Sequence, residues 1–345
     1  MAKISIVLAV YNGEKDVDKC LNSLRGQTMK DIEIICVDDG STDNTVRVLK
    51  KHVAEDPRVK VFEQGENRKL LLAIKRGVKE ATGDYIMFVD DDDWYEPNAC
   101  ENVAEIIDAD HPDVVYFGTN LVEPEEKVKK DIRENRLRRV ESTDMKFSGE
   151  NTLWLDDIRY VYLWNKAVKA DVAKKAYDAM PDVEMTYYSD IYACMMIHYY
   201  AKTVVSTSKK LTNYNYTNGI SGQGSMTAER YDYFLRCTRI YEDGIRNFFE
   251  KESDNKNLDI FVEGYRDRMM PYIRIWRDKV QECDAVEAFE SLVKYYDIED
   301  VMPLLKHNYY RANASCKKYK RRAEKLERQL EATNKKSFLS RLIGR

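Results

Sequence analysis

Five short β-rich runs recur at near-regular intervals in the first part of the chain: Ile4–Val10, Ile32–Val37, Val59–Phe62, Tyr85–Val89 and Val114–Phe117. The intervals carry apolar residues at helical spacing. Val17, Cys20, Leu21 and Leu24 form one stripe, and Val46, Leu49 and Val53 a second, with Thr42 as its predicted N-cap. Leu70, Leu71, Ile74 and Val78 form a third, and Val103, Ile106 and Ile107 a fourth that starts after Pro97. Strands that alternate with helices of this length return in the same direction, which predicts an α/β fold with a mostly parallel, doubly wound sheet. Ligands of such sheets bind in the crevice beyond the carboxyl ends of the strands.

Three loops leave those ends: Tyr11-Asn12-Gly13, Asp38 to Asp43, and Asp90 to Asp93. The last is the most telling, because the apolar run Tyr85–Val89 discharges into four consecutive carboxylates. Four like charges repel one another unless a cation neutralises them. Hard oxygen ligands within short reach suit Mg²⁺ or Mn²⁺, which keep positions for water and substrate phosphates. Tyr11 can stack on a base, and Asp39 can accept from an imide N–H or a ribose hydroxyl. Taken singly, each has a structural explanation: a strand-end anchor, a turn with a helix cap, a solvated acidic turn. Their convergence on one rim points to a ligand site.

Further along, residues 118–150 read as a charged, turn-rich excursion. Trp164-Asn165-Lys166 sets an amide and an ammonium beside an indole, a combination that suits a sugar ring and also serves packing. Ser189-Asp190 opens a helix through Ile191, Cys194, Met195, Ile197 and His198, with its carboxylate in the first turn, where the helix dipole favours it. Val204–Val205 and Leu211–Tyr216 read as two strands. From Thr227 the pattern is helical, with Tyr231, Phe234, Leu235, Thr238, Tyr241, Ile245 and Phe248 on one stripe. Neither GxGxxG in the first strand–helix turn nor GxxxxGK[ST] anywhere is found, so dinucleotide and P-loop phosphate sites lack their sequence basis. The expected organisation is a ligand-binding domain over 1–225, a helical domain over 226–305 and a basic helical tail over 306–345.

Charge supports that division. Thirteen Lys/Arg against three Glu give residues 306–345 a net charge of +10, leaving −14 for the rest of a chain whose total is −4. An acidic body is not a nucleic-acid-binding surface, and the basic tail calls for a partner of its own. Cys316, Tyr319, Ala323, Leu326 and Leu330 step by three and four, a spacing that suits helix pairing and hence a homo-oligomer. Phe338, Leu339, Leu342 and Ile343 among basic residues read as an amphipathic segment able to touch an anionic membrane. Seven scattered cysteines without CxxC spacing indicate a reducing compartment. With no signal-peptide pattern and no spanning run, the expected place is the cytoplasm, peripherally at the inner face of the membrane.

Together these motifs resemble the family 2 glycosyltransferases, which have the GT-A fold. Ile6 to Asn12 is similar to that family's opening strand, and Val37-Asp38-Asp39-Gly40-Ser41-Thr42-Asp43 to its second. Ala81 to Asp93 resembles its metal-binding strand with the DxD motif, and Trp164-Asn165-Lys166, Ser189-Asp190, Tyr214-Asn215-Tyr216 and Ser221 its acceptor-side half. The resemblance implies an inverting transfer of sugar from a nucleotide-diphospho-sugar, a UDP-sugar, to a hydroxyl of a glycan or lipid-linked glycan in cell-surface polysaccharide synthesis. By resemblance, Ala9, Tyr11, Asp39, Lys69, Asp90 and Asp91 bind the donor, Asp92 is the principal ligand of Mn²⁺ or Mg²⁺, and Asp190 is the general base. Trp164, Asn165 and Lys166 face the acceptor. Three positions depart from the family pattern: Ser189 replaces an acidic residue, Ile74 an Arg, and Ala9 a Pro. Lys69 or Lys75 then supplies the cation for the nucleotide, with Lys69 favoured because it precedes the buried stripe. Two other functions stay open on the residues alone: a Mg²⁺-dependent phosphotransferase using the Asp-rich strand end, and a non-catalytic nucleotide-binding scaffold.

Overall fold

A computed structural model describes residues 4–122, 142–148, 162–215, 225–264, 271–273, 275, 279–297 and 299–301. The chain divides into two compact units, Met1–Gly222 and Gln223–Arg345. The basic tail expected over 306–345, Tyr216 and Ser221 lie outside the described residues.

The first unit follows the alternation seen in the sequence: β1 (Ile4–Val10), α1 (Val17–Arg25), β2 (Ile32–Asp38), α2 (Thr45–Glu55), β3 (Val59–Glu63), α3 (Lys69–Glu80) and β4 (Tyr85–Asp90). After a two-residue strand β5 (Trp94–Tyr95) come α4 (Ala99–Asp110), β6 (Val114–Val122), β7 (Met145–Ser148) and β8 (Lys166–Lys169). The unit continues with α5 (Ala170–Ala179), α6 (Ser189–Tyr200) and β9 (Thr203–Asn215). The described strands form one sheet in the order β3-β2-β1-β4-β8-β6-β9-β5, with β7 paired to β9. β1 to β4 pair in parallel, as do β6 and β9, while β8, β5 and β7 run against their neighbours. The sheet is therefore mixed but mostly parallel, with helices flanking it.

Packing follows from the stripes. Val17, Cys20, Leu21 and Leu24 of α1 join Ile4, Ile6, Leu8 and Val10 of β1 in a continuous apolar core. In α3 the close approach to the sheet depends on a missing side chain: a Cβ at Gly77 would lie 2.4 Å from Val7 Cγ1. At the opposite end of the strands, buried Glu33 accepts from Ser5 Oγ at 2.5 Å, from Thr82 N at 2.7 Å and from Lys60 Nζ at 2.7 Å. These bonds pin the turn into β4 and hold the Glu33 carboxyl down to about 2 against its own burial.

Several expectations need correction. The buried face of α2 is Thr45, Leu49 and His52, with Val53 exposed, and the helix is preceded by Asn44 rather than Thr42. The physical reason is His52, whose Nε2 meets Asp18 Oδ1 at 3.0 Å and whose Nδ1 meets Arg25 Nη1 at 2.9 Å. These contacts turn the helix away from the register that Val46 and Val53 would set. β6 extends past Phe117 to Val122, and the two expected strands after α6 are one, β9, paired to β6 across register shifts around Gly118. β8 and α5 have no counterpart in the sequence reading, and β8 separates β4 from β6.

The second unit is helical among its described residues: α7 (Ala228–Lys251), α8 (Asn255–Glu263), a 3₁₀ turn (Glu282–Asp284) and α9 (Ala285–Tyr295). The whole stripe expected from Tyr231 to Phe248 is buried on α7. Thr227 caps it by accepting from Arg230 N. No helix among the described residues is long and apolar enough to cross a membrane.

Candidate active site

The carboxyl ends of β1, β2 and β4 are neighbours in the sheet, and their register brings the loop residues together. Val10 lies beside Asp38, and Ala9 beside Asp90. Adjacent strands are about 4.8 Å apart, so Asp38 and Asp90 stand roughly 10 Å from each other, either side of β1. The loops are also sewn to one another. Asp39 N donates to the Val10 carbonyl at 2.8 Å, Asn12 N to Ser41 Oγ at 2.9 Å, and Thr42 N to Asn12 Oδ1 at 2.8 Å. Glu14 completes the stitch by accepting from Asn44 N and Asn44 Nδ2, both at 2.9 Å.

Asp39 is buried and points at the loop before α3. Its Oδ1 accepts from Arg68 N at 2.7 Å and from Gln64 Nε2 at 2.8 Å, and Lys69 contributes a further backbone bond and a positive charge. Burial raises the Asp39 carboxyl above its ordinary value, and those bonds oppose the rise. Lys69 itself takes a left-handed backbone, φ 70°, at the first residue of α3. The alternative cation, Lys75, is spent elsewhere: its Nζ lies 2.8 Å from the Met180 carbonyl and 2.7 Å from Asp182 Oδ1. Ile74, in the Arg position of the resemblance, is buried in the core. Tyr11 is 47% exposed at the rim, which leaves its ring available.

The acidic run forms a tight turn, with Asp93 N donating to the Asp90 carbonyl at 3.1 Å. That turn brings ligand oxygens of Asp90, Asp92 and Asp93 within 4.8 Å of one another. Asp91 is not part of the group. Its Oδ2 lies against Gly13, where a Cβ would come within 2.2 Å. From the turn the chain enters β5, whose Trp94 and Tyr95 pair with Asn213 and Thr212 of β9, and Asn215 N at the end of β9 donates to Asp93 Oδ1 at 2.7 Å. The other oxygen, Asp93 Oδ2, is buried without a hydrogen-bond partner.

Electrostatics matches this crowding. Burial is the first cause that raises all four carboxyls; other carboxylates of the run add to it at Asp90, Asp91 and Asp93, and Asp16 adds to it at Asp92, so that Asp91 rises to about 7, Asp93 to about 8, and Asp90 and Asp92 upward. Close carboxylate oxygens, with one buried oxygen unpartnered and every carboxyl resisting ionisation, are a donor set that would suit a hard divalent cation. Asp93 was singled out in the sequence only as a member of the run; the turn geometry promotes it and sets Asp91 apart.

Asp190 reaches the same region from α6, close enough for its charge to raise Asp90. Burial lifts the Asp190 carboxyl to about 6, and the charge of Lys166 opposes the rise. Ser189, which precedes it, turns its hydroxyl back to the Thr186 carbonyl at 2.8 Å. Tyr214 also belongs here: burial, with the charges of Asp90 and Asp93 added, raises its phenol well above the ordinary range.

The expected acceptor face needs revision. Trp164 is buried and stacks with two tyrosines, Tyr162 with ring centres 4.9 Å apart and Tyr214 at 5.0 Å. Asn165 and Lys166 are buried as well. A buried indole offers no open platform to a sugar, and Asn165 and Lys166 are as enclosed as Trp164.

Comparison with known proteins places this geometry in a family. The model of glycosyl transferase family 2 matches residues 5–175. EpsH of Bacillus subtilis (strain 168) is 29% identical over 267 residues, 75% of this chain and 74% of that protein. The structure of S. aureus TarS 1–349 in complex with UDP-GlcNAc superposes with a TM-score of 0.56 at 20% identity, covering 90% of this chain and 92% of that one. Mannosyltransferase PcManGT from Pyrobaculum calidifontis, in complex with GDP-Man and Mn²⁺, superposes with a TM-score of 0.54 at 14% identity, covering 97% and 87%. The two structures share the fold, and the sequence match carries the assignment: over residues 5–175 the chain is a glycosyl transferase family 2 domain.

Proposed function

We propose that this protein is an inverting, metal-dependent glycosyltransferase that moves a sugar from a UDP-sugar to a hydroxyl of a glycan acceptor in cell-surface polysaccharide synthesis. The observation that carries the reading is the meeting of two carboxylate systems beyond the strand ends: the Asp90, Asp92 and Asp93 group and the separate Asp190. Asp92, with Asp90 and Asp93, would hold Mn²⁺ or Mg²⁺, and such a cation neutralises the charge that develops on a departing nucleoside diphosphate. Tyr11 stacks on the uracil, Asp39 accepts from it, Lys69 supplies a positive charge, and Ala9 leaves room at the strand end. Asp91, held against Gly13, borders the ribose and diphosphate. Asp190 takes the proton from the acceptor hydroxyl as that oxygen attacks the anomeric carbon. One base and no second carboxylate acting as nucleophile give inversion. The complexes of TarS with UDP-GlcNAc and PcManGT with GDP-Man and Mn²⁺ support the donor class and the metal.

The test is UDP release from UDP-GlcNAc, UDP-glucose, UDP-galactose and UDP-glucuronate, with GDP-mannose as comparator, with Mn²⁺ and with EDTA. Metal-dependent release of UDP that Asp92→Asn lowers at least ~100-fold supports the reading. Release that is indifferent to EDTA contradicts it.

A lipid-linked acceptor at the membrane surface is favoured by the +10 charge of residues 306–345. Truncation after Glu331 should weaken binding to vesicles containing anionic lipid; unchanged binding would refute the membrane role of the tail.

A further inference from the structure

Gln64 follows the last residue of β3 and lies against the end of β2, where its backbone N–H donates to the Asp38 carbonyl at 2.9 Å. Its half-buried side chain turns to the neighbouring residue, and Nε2 donates to Asp39 Oδ1 at 2.8 Å. Four residues later, Arg68 N donates to the same oxygen at 2.7 Å. Both ends of the loop 64–68 therefore hold one oxygen of the Asp39 carboxylate. The loop closes on Asp39 because the next residue has no side chain. Gly40 takes a left-handed backbone, φ 74°, and a Cβ there would lie 2.5 Å from the Glu66 carbonyl carbon and 2.7 Å from Asn67 N. On its other side Asp39 N is fixed to the Val10 carbonyl at 2.8 Å. The strands set where this buried residue sits, and the loop sets which way its carboxylate faces.

A carboxylate oxygen accepts about two hydrogen bonds. Gln64 and Arg68 N occupy Oδ1, so a ligand N–H must come to Oδ2. The Lys69 backbone adds a further bond to the group. One open oxygen that only accepts distinguishes bases by their edges. Uracil presents a single N3–H between two carbonyls, and one oxygen satisfies it. Cytosine presents a bare N3 acceptor in the same place, which a carboxylate repels. Guanine presents N1–H beside an amino group, a two-donor edge that suits both oxygens of a free carboxylate and is half-served when Oδ1 is taken.

We infer that Gln64 is the positioning residue that makes the nucleotide site select uracil: with Arg68 N it fills Asp39 Oδ1 and leaves Oδ2 to meet one N–H of the base. This rests on the reading of Asp39 as the group that accepts from the base. Arg68 contributes a main-chain donor that a side-chain substitution does not remove. Gln64 is the replaceable half of the pair, so selectivity follows its side chain.

The experiment is calorimetric titration of UDP, CDP and GDP in Mn²⁺ into wild type, Gln64→Leu, Gln64→Lys and Asp39→Asn, each checked for folding by its melting curve. Gln64→Leu keeps the bulk and removes the donor. It should weaken UDP by ~5- to 30-fold and change CDP by less than about twofold, because cytosine takes nothing from an ionised carboxylate. GDP should lose less than UDP, since a carboxylate free to turn offers guanine both oxygens. Gln64→Lys returns an N–H donor and should restore part of the preference for UDP over the other two. Equal weakening of all three nucleotides by Gln64→Leu, the mark of a merely structural role, would overturn the inference, as would unchanged preference. Asp39→Asn with the UDP affinity of wild type would overturn it through its premise, a failure that the Gln64 variants do not produce. Should Gln64→Leu not fold, Gln64→Asn keeps the amide but falls one methylene short of Asp39. Loss of the UDP preference supports the inference there too, and full preference refutes it.

Discussion

At the scale of single residues, the site is governed by carboxyls that burial makes reluctant to ionise. Asp91 at about 7, Asp93 at about 8 and the raised Asp90 and Asp92 all stay protonated in the folded protein at pH values where the unfolded chain has lost those protons. The folded state then binds more protons than the unfolded one, so stability falls as pH rises from about 4 towards 8. A divalent cation reverses the penalty by replacing those protons. The melting temperature with Mn²⁺ should therefore exceed that with EDTA by a margin that widens between pH 5 and pH 8, and a margin independent of pH would contradict this. Asp190, at about 6, works in the opposite sense for activity, since the base is needed ionised. The rate of transfer should fall about tenfold for each pH unit below 6, and Asp190→Asn should abolish that limb along with most of the activity. The four-carboxylate run was legible in the sequence as a candidate cation site, but its division was not. That depends on the turn that folds Asp93 back to Asp90 and on Gly13, whose bare α-carbon receives Asp91.

At the scale of elements, α3 shows how one residue sets a distance. Gly77→Ala would drive a methyl against Val7 on β1, and the cost should be about 1–3 kcal/mol, read as a lowered melting temperature. Shortening Val7 to Ala in the same chain should return part of it; a neutral Gly77→Ala would show that the helix sits farther from the sheet. The alternation of strands and helices from Ile4 to Asp110 could be read because each stripe and run is local and strongly periodic. β8 could not. Its four residues, Lys166 to Lys169, are bounded by charge, and its place between β4 and β6 comes from long-range pairing that periodicity does not report. The middle of β9 was hidden for a related reason: Ser208, Lys209 and Lys210 are exposed where the ladder to β6 shifts register, so the sequence reads as two strands. α2 adds a third lesson, since a buried histidine held by Asp18 and Arg25 outweighed two valines in choosing which face turns inward.

At the scale of the whole molecule, the residues proposed to bind the donor and the cation and to act as base come from loops and one helix of the first unit, gathered at the carboxyl ends of one mostly parallel sheet. The strand alternation predicted that location before any residue was assigned a role, because βαβ connections leave their loops on that side. Trp164, Asn165 and Lys166 were less legible: they have the composition of a sugar platform, yet all three are buried. The central claim is that the Asp90–Asp92–Asp93 group and the β1 and β2 loops together bind a nucleoside diphosphate through a divalent cation. Calorimetric titration of UDP, with GDP and CDP as comparators, into wild type and Asp92→Asn with Mn²⁺ and with EDTA tests it most directly. The account predicts UDP binding that requires Mn²⁺, is weakened by Asp92→Asn and is not matched by GDP or CDP; equal binding of UDP in EDTA, or by Asp92→Asn, would contradict it.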